Sequence, residues 1–485
     1  MLFLLFMGFF NLGNTRPILL IGRRDDVSCD DLNDCRTRKD IIISCLSTIV
    51  LCTWVTLHPN ITISPDTRRM GWIERSVRHP LRRLMKRVPL LLCALIAPEY
   101  ILAYAIRQYL QAGEIQRKLQ HASQTNTENK SAPVREWTRT HGFFIIMGGF
   151  HLFTAPDVDA ATSIPPPQPG SPIPTHSVSP LPKHSKEDEK AERPLEFEEL
   201  SSEELAYLVP TEREIKDKGK VDIISKTLTF LQISWFVVQC IARAVNYLPL
   251  TELEVVTLAY ATMNGFIFIF WWDKPKDVEC PIRVYGKTSI ATPDLIEARR
   301  GGIVRWNSRA LTIIQNVSIY LVGQADHLFL LCKETQVPTF WSGNPGERIV
   351  LRSMVAAMIL GVGFGAIHFI PWNSEFPSDI EPLLWRISSI AITAIPLILV
   401  IFCYFGDVWL HWEDYFGTRV MAAWLEKSLG FLGTFEEAGV IIGAFMTLVY
   451  ILARIFTLVI AFTTLRALPL DALKTVDWAS FIPHL

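Results

Sequence analysis

Glu99 stands near the middle of an apolar run, Val88 to Ile106, immediately after Pro98. An ionised carboxylate in such a setting is costly, so the group must be neutral, paired or turned toward water. For a pair it needs a cation at similar depth. Arg454 lies well inside the last apolar stretch of the chain, and Arg243 lies near the end of another, where its long stem can reach toward an interface. Without a pair, Glu99 is a candidate for a proton or ion path. A second polar group is Asp407, His411, Glu413 and Asp414. The spacing puts Asp407, His411 and Asp414 on one helical face, which suits a metal or ligand, but Trp409 and Trp412 beside them mark a bilayer interface where polar clusters are ordinary.

Three further patterns carry less. His368 follows the run Gly361-Val362-Gly363-Phe364-Gly365 and is similar to the buried histidine of membrane acyltransferases, with Asn373 as the polar neighbour; close helix packing explains the glycines more simply. Asp30-Asp31-Leu32-Asn33-Asp34 matches a magnesium-diphosphate string, yet it sits in a short polar segment with no cavity implied. Cys29 and Cys35 share that segment and are expected to bridge if it faces an oxidising compartment. Cys45, Cys52, Cys93, Cys240 and Cys403 lie in apolar runs and read as small hydrophobes. The eleven histidines include no pair at di-iron hydroxylase spacing, no Cys/His set has zinc spacing, and there is no phosphate loop, nucleophile elbow or dinucleotide fingerprint. No metal and no cofactor is expected.

The elements that must position these residues are membrane helices. The chain is 49% hydrophobic, and its apolar residues are gathered in long runs rather than spread amphipathically, so lipid is the natural sink. A net charge of −1 gives no reason to invoke nucleic acid. The expected fold is an all-α, polytopic transmembrane bundle with seven strong spans: Ile41 to Leu57, Val88 to Ile106, Leu228 to Val245, Val255 to Trp272, Val350 to Ile370, Leu384 to Phe405, and Ala438 to Phe462. Residues 1–13 read as a signal peptide or N-terminal anchor, 159–220 as a disordered linker rich in Pro and charge, 273–349 as a basic cytoplasmic segment with an amphipathic helix from Leu311 to Cys332, and 463–485 as a tail.

Loop charges set the orientation and create a conflict. The loop after the first span carries Arg68, Arg69, Arg75, Arg78, Arg82 and Arg83 among its basic residues and belongs in the cytoplasm; the sequon at Asn60 is then a chance match. The turns 246–254 and 371–382 hold acids without Lys or Arg and belong outside, which places the linker before the third span in the cytoplasm as well. Two cytoplasmic loops cannot flank one crossing. Either residues 141–158 supply an eighth crossing or half-helix, the preferred expectation, or the second span dips and returns at Pro98.

The blocks Asp40 to Ile61, Glu136 to Phe150, Phe270 to Pro281 and Thr475 to Leu485 resemble those shared by a group of multi-pass integral membrane proteins of filamentous fungi with no known activity. The resemblance implies the membrane class and a fungal source and brings no catalytic residue; the expected location is the plasma membrane or an endomembrane. The favoured expectation is therefore a non-catalytic membrane protein: a transporter, channel or scaffold, with the bilayer as partner and an ion or small molecule as ligand. A membrane-embedded enzyme acting on a lipidic substrate is the alternative and requires Glu99, His368 and the Asp407 to Asp414 group to meet in one cavity. A seven-helix receptor is a third option.

Overall fold

The computed structural model describes residues 35–61, 71–127, 136–153, 191–197, 210–219, 222–278, 280–285, 331, 334–415 and 421–476. The expected signal segment, Cys29, the Asp30 to Asp34 string and residues 311–330 of the expected amphipathic helix lie outside them. The chain is mostly helical, and six helices are long and apolar enough to cross a membrane.

Helix α1 (Arg38–Thr56) starts at a capping box in which Thr37 and Asp40 satisfy each other's backbone N–H groups. Helices α2 (His79–Ile96) and α3 (Pro98–Thr127) follow, then the short α4 (Arg139–Ile146) and strand β1 (Phe150–Phe153). Strand β2 (Ala191–Pro194) and the capped helix α5 (Glu212–Lys218) lead into α6 (Asp222–Val245) and α7 (Glu252–Phe270). Strand β3 (Ile282–Tyr285), α8 (Glu347–Ile367), α9 (Ile380–Tyr415), α10 (Met421–Thr463) and α11 (Leu470–Leu473) complete the order.

Helix α7 is the centre of the bundle: 72% of its apolar window is buried, against 28–39% for the other five candidate spans. Those outer helices turn large apolar side chains outward, such as Ile43 at 66%, Phe402 at 68% and Phe445 at 61% exposure. Such continuous apolar surface is what lipid would cover.

The expected second span is not one helix. It breaks at Ala97, and the axes of α2 and α3 diverge by 115°. Pro98 is the cause, since it has no N–H to continue the ladder and its ring clashes with the preceding turn, while it suits the first position of a new helix. Both halves leave the bundle at the same end. Arg87 in α2 pairs with Asp277, and Gln108 in α3 bonds Trp271 and Lys274, all just beyond the last turn of α7.

Residues 141–153 form the end of the short α4, a turn and β1, rather than one continuous helix. Strand β1 is buried and lies between β2, antiparallel to it, and β3, parallel to it, in register from Phe150 opposite Ile282 to Phe153 opposite Tyr285. This small three-stranded sheet is a minor addition to an otherwise helical chain. It also draws Ala191–Pro194 out of the segment expected to be disordered, because β1 needs hydrogen-bond partners on both edges once it is buried. The capped α5 is a second ordered piece of that segment.

The opposite end of the bundle gathers Cys35, the turn after α6, and residues 464–476. Arg36 holds Glu254 at the start of α7 and donates to the Leu473 carbonyl, while Arg466 holds Glu381 at the start of α9 at 2.7 Å. Cys35 is disulfide-bonded, its partner lying outside the described residues.

Candidate functional site

The break between α2 and α3 lies mid-bundle and leaves the last carbonyls of α2 without helical partners. Two side chains take them: the Tyr260 hydroxyl, from the middle of α7, donates to the Leu95 carbonyl, and Arg454 Nε, from the middle of the apolar span that begins at Ile441 in α10, donates to the Ile96 carbonyl at 3.2 Å. A guanidinium at the C-terminal end of a helix is also favoured by the helix dipole. Aromatic faces surround it, with Phe364 of α8 at 3.9 Å and Tyr260 at 5.2 Å from the guanidinium carbon.

Glu99 stands on the other side of the break, in the first turn of α3, where the dipole favours an anion. Its side chain crosses α8 at Gly361, where a Cβ would come within 2.9 Å of Glu99 Cγ, so that glycine makes the room. Both carboxylate oxygens are shielded from solvent and have no hydrogen-bond partner among the described residues. The Tyr450 hydroxyl is buried and faces the Glu99 carboxylate, and Nη2 of Arg454 is buried without a partner among the described residues. Glu99 and Arg454 thus share one locus without closing an ion pair. Charged and polar atoms with so few partners at one buried place are unusual, since nearly all such atoms in folded proteins are bonded.

The other predicted residues fall elsewhere. Arg243 is not a partner for Glu99: at the Cys35 end of the bundle it donates to the carbonyls of Lys474 at 2.7 Å, Pro249 at 2.9 Å and Ala472 at 3.1 Å, fastening the C-terminal segment. His368 caps α8, with Nδ1 3.0 Å from the Phe364 carbonyl, and its ring leans on Phe364 and Trp385. Its own carbonyl accepts from Trp385 and Ser389. It is a packed core histidine, one turn from the aromatic ring that Arg454 covers. Asp407, His411, Glu413 and Asp414 have their backbone in α9, with side chains outside the described part of the molecule. Asp407 is 22 residues beyond Trp385, about 33 Å along that helix. Along α9 this sets Asp407 far from Trp385, the residue that contacts His368. No group of three or more metal-binding side chains occurs among the described residues.

A second polar cluster, at the Lys274 end, was not anticipated. Lys274 is 1% exposed and its ammonium donates to the His58 carbonyl, to Asn60 Oδ1 at 3.2 Å and to Gln108 Oε1 at 2.9 Å, under the face of Trp271. Gln108 also accepts from Trp271 Nε1 at 3.0 Å and donates to Trp341's carbonyl at 2.9 Å. The Asn60 amide donates to the carbonyls of Pro338 and Trp341, so this sequon side chain is sealed inside. Burial holds the Lys274 ammonium well below the usual lysine range. Burial first, then the charges of Lys226, Lys276 and Lys274, push His58 well below the usual histidine range. The signal was present in the sequence as two short motifs, His58-Pro59-Asn60 and Trp271-Trp272-Asp273-Lys274, each at the end of an apolar stretch.

With this geometry in view, sequence comparison gives one family. The model of a family of unknown function, DUF8562, matches residues 27–164, 206–291 and 344–485, most of the chain, and the protein belongs to that family. No curated protein and no solved structure matches the chain.

Proposed function

We propose that this member of the family is an integral membrane protein of the plasma membrane or an endomembrane that crosses the bilayer six times, and that its broken α2–α3 pair is a re-entrant element serving passage of a small ion or solute. The observation that carries the reading is the break at Ala97, where unmatched atoms of Glu99, Tyr450 and Arg454 meet between two helix ends. Helix ends opposed inside a bundle are the usual device for handling ions in the membrane interior, one end suited to anions and the other to cations.

The six-crossing arrangement also removes the conflict between loop charges. If α2 enters and α3 returns on one side, the basic loop after α1 and the linker before α6 both stay in the cytoplasm, with no crossing at 141–158. The disulfide at Cys35 supports an oxidising compartment at the opposite end. An epitope inserted at Lys130 in sealed, right-side-out vesicles tests it: the six-crossing arrangement leaves it protected from added protease, whereas an eighth crossing at 141–158 exposes it.

Passage is tested in proteoliposomes containing the full chain, by proton flux and by uptake of a panel of inorganic ions and small solutes. Glu99→Gln is expected to abolish the flux that the native chain supports. Equal flux of every solute in the two proteins overturns the reading and leaves a scaffold role.

A further inference from the structure

The segment that leads into the re-entrant pair has a surface the rest of the bundle does not cover. From Trp72 through a turn of π-helix (Glu74–Arg78) into α2, Trp72 is 78% exposed, Ile73 70% and Met85 61%, with Val77, Leu81 and Leu84 exposed as well. Apolar residues recurring every three or four positions make one side of a helix. Between them the sequence sets Arg75, Arg78, Arg82, Arg83, Lys86 and Arg87 against one acid, Glu74. Its far end is fixed in place: Arg87 pairs with Asp277 and lies over the Trp54 ring at 5.5 Å, at the Lys274 end of the bundle.

We infer that residues 72–87 dock on the cytoplasmic leaflet through anionic phospholipid headgroups, with the apolar side at the acyl boundary and the basic positions among the phosphates. The inference rests on the membrane reading above. Two features favour lipid over a protein partner. A dense run of like charges suits a charged membrane surface, whereas the cores of protein interfaces are depleted of charge. The helix also runs without a break from these residues to Ile96 at the mid-bundle site, so covalent continuity brings its basic half to the bilayer surface wherever its apolar half enters. Docking here would anchor the outer end of the helix whose inner end Arg454 caps.

The test is hydrogen exchange of the full chain in nanodiscs of phosphatidylcholine alone and of phosphatidylcholine with phosphatidylserine. Each basic residue held at an anionic surface favours contact by about fivefold, so amides of 72–87 should exchange at least that much more slowly in the anionic discs. High salt should erase the difference. The double variant Arg82→Glu/Arg83→Glu should erase it too, with exchange elsewhere unchanged as a check on folding. Equal protection in both discs overturns the proposal in favour of apolar contact alone, and absence of protection in both overturns it in favour of a protein partner. Failure of the chain to enter either disc overturns the membrane reading itself, an outcome distinct from the other two.

Discussion

Helix α3 carries two buried polar clusters that are built on opposite terms. At its start, Glu99 meets Tyr450 and Arg454 with atoms left unbonded; nine residues on, Gln108 joins Lys274, Asn60 and Trp271 in a network where the ammonium and both amides are bonded. A satisfied network in a low-dielectric interior rigidifies one arrangement and rejects others, so the Lys274 cluster reads as a device that locks α1, α3 and α7 together. An unsatisfied cluster costs stability, and a natural fold keeps such a defect where function needs it. The contrast predicts that substitutions in the two clusters will separate activity from stability.

Glu99→Gln is the strongest way to break that contrast. Glutamine keeps the size of the side chain and an oxygen facing Tyr450, so thermal stability in detergent should stay within about 1 kcal/mol of the native value while flux falls to that of empty vesicles. Lys274→Met should do the reverse. It strips a buried donor from three acceptors, a cost of about 2–4 kcal/mol seen as a lowered unfolding midpoint, with flux per folded molecule retained. If Glu99→Gln unfolds the protein and Lys274→Met does not, the roles assigned here are exchanged.

How much of this was legible in the sequence depends on how local the signal was. The six long helices were read from run length alone, because an apolar stretch of that size has few other places to go. Pro98 marked the break, and the loop charges demanded either a break or a further crossing or half-helix at 141–158; the strand that follows the short α4 there was not legible, because β1 pairs with β2 and β3, which are remote in sequence and invisible to local pattern. Depth alone made Arg454 and Arg243 both candidates beside Glu99, because depth says nothing of azimuth; the carbonyl partners of Arg243 fix it at the other end of the bundle. The Lys274 network was hidden for the same reason: it joins residues from four segments, and Lys274 in its sequence context looks like an interfacial cation.

His151 sharpens the comparison from the side of the Lys274 end. It is fully enclosed in β1, and burial, offset only in part by the Gly148 backbone, pushes it down from 6.5 to about 4. Above pH 6.5 it is neutral folded or unfolded and contributes no pH dependence. As pH falls from 6.5 toward 4, the unfolded chain takes up a proton that the folded chain refuses, so stability falls, by about 3 kcal/mol over the window. His151→Leu should flatten that part of the pH–stability curve and cost little at pH 7. His58, shifted in the same direction, leaves a residual slope. An unchanged curve in the variant would mean that the sheet opens to water around His151.

The smallest expected effect concerns whether the mid-bundle site is held by close backbone approach, and the glycines of α8 offer a paired test. A Cβ on Gly365 would lie 2.4 Å from Thr393 Oγ1 and 2.7 Å from its Cα, so the α8–α9 contact must part to admit it; Gly363 has nothing within 4 Å of that position. Gly365→Ala should therefore cost about 1–3 kcal/mol through overpacking, read as a lower unfolding midpoint. Gly363→Ala should be neutral or stabilising by up to about 1 kcal/mol, because alanine favours the helix. Gly361→Ala stands between them: its Cβ would meet a flexible side-chain carbon of Glu99, which can shift. Its expected mark is on flux more than on stability, because any movement of Glu99 alters the unmatched cluster while the backbones of α8 and α9 stay where Gly365 sets them. Equal destabilisation by all three substitutions would show that α8 does not pack by this face.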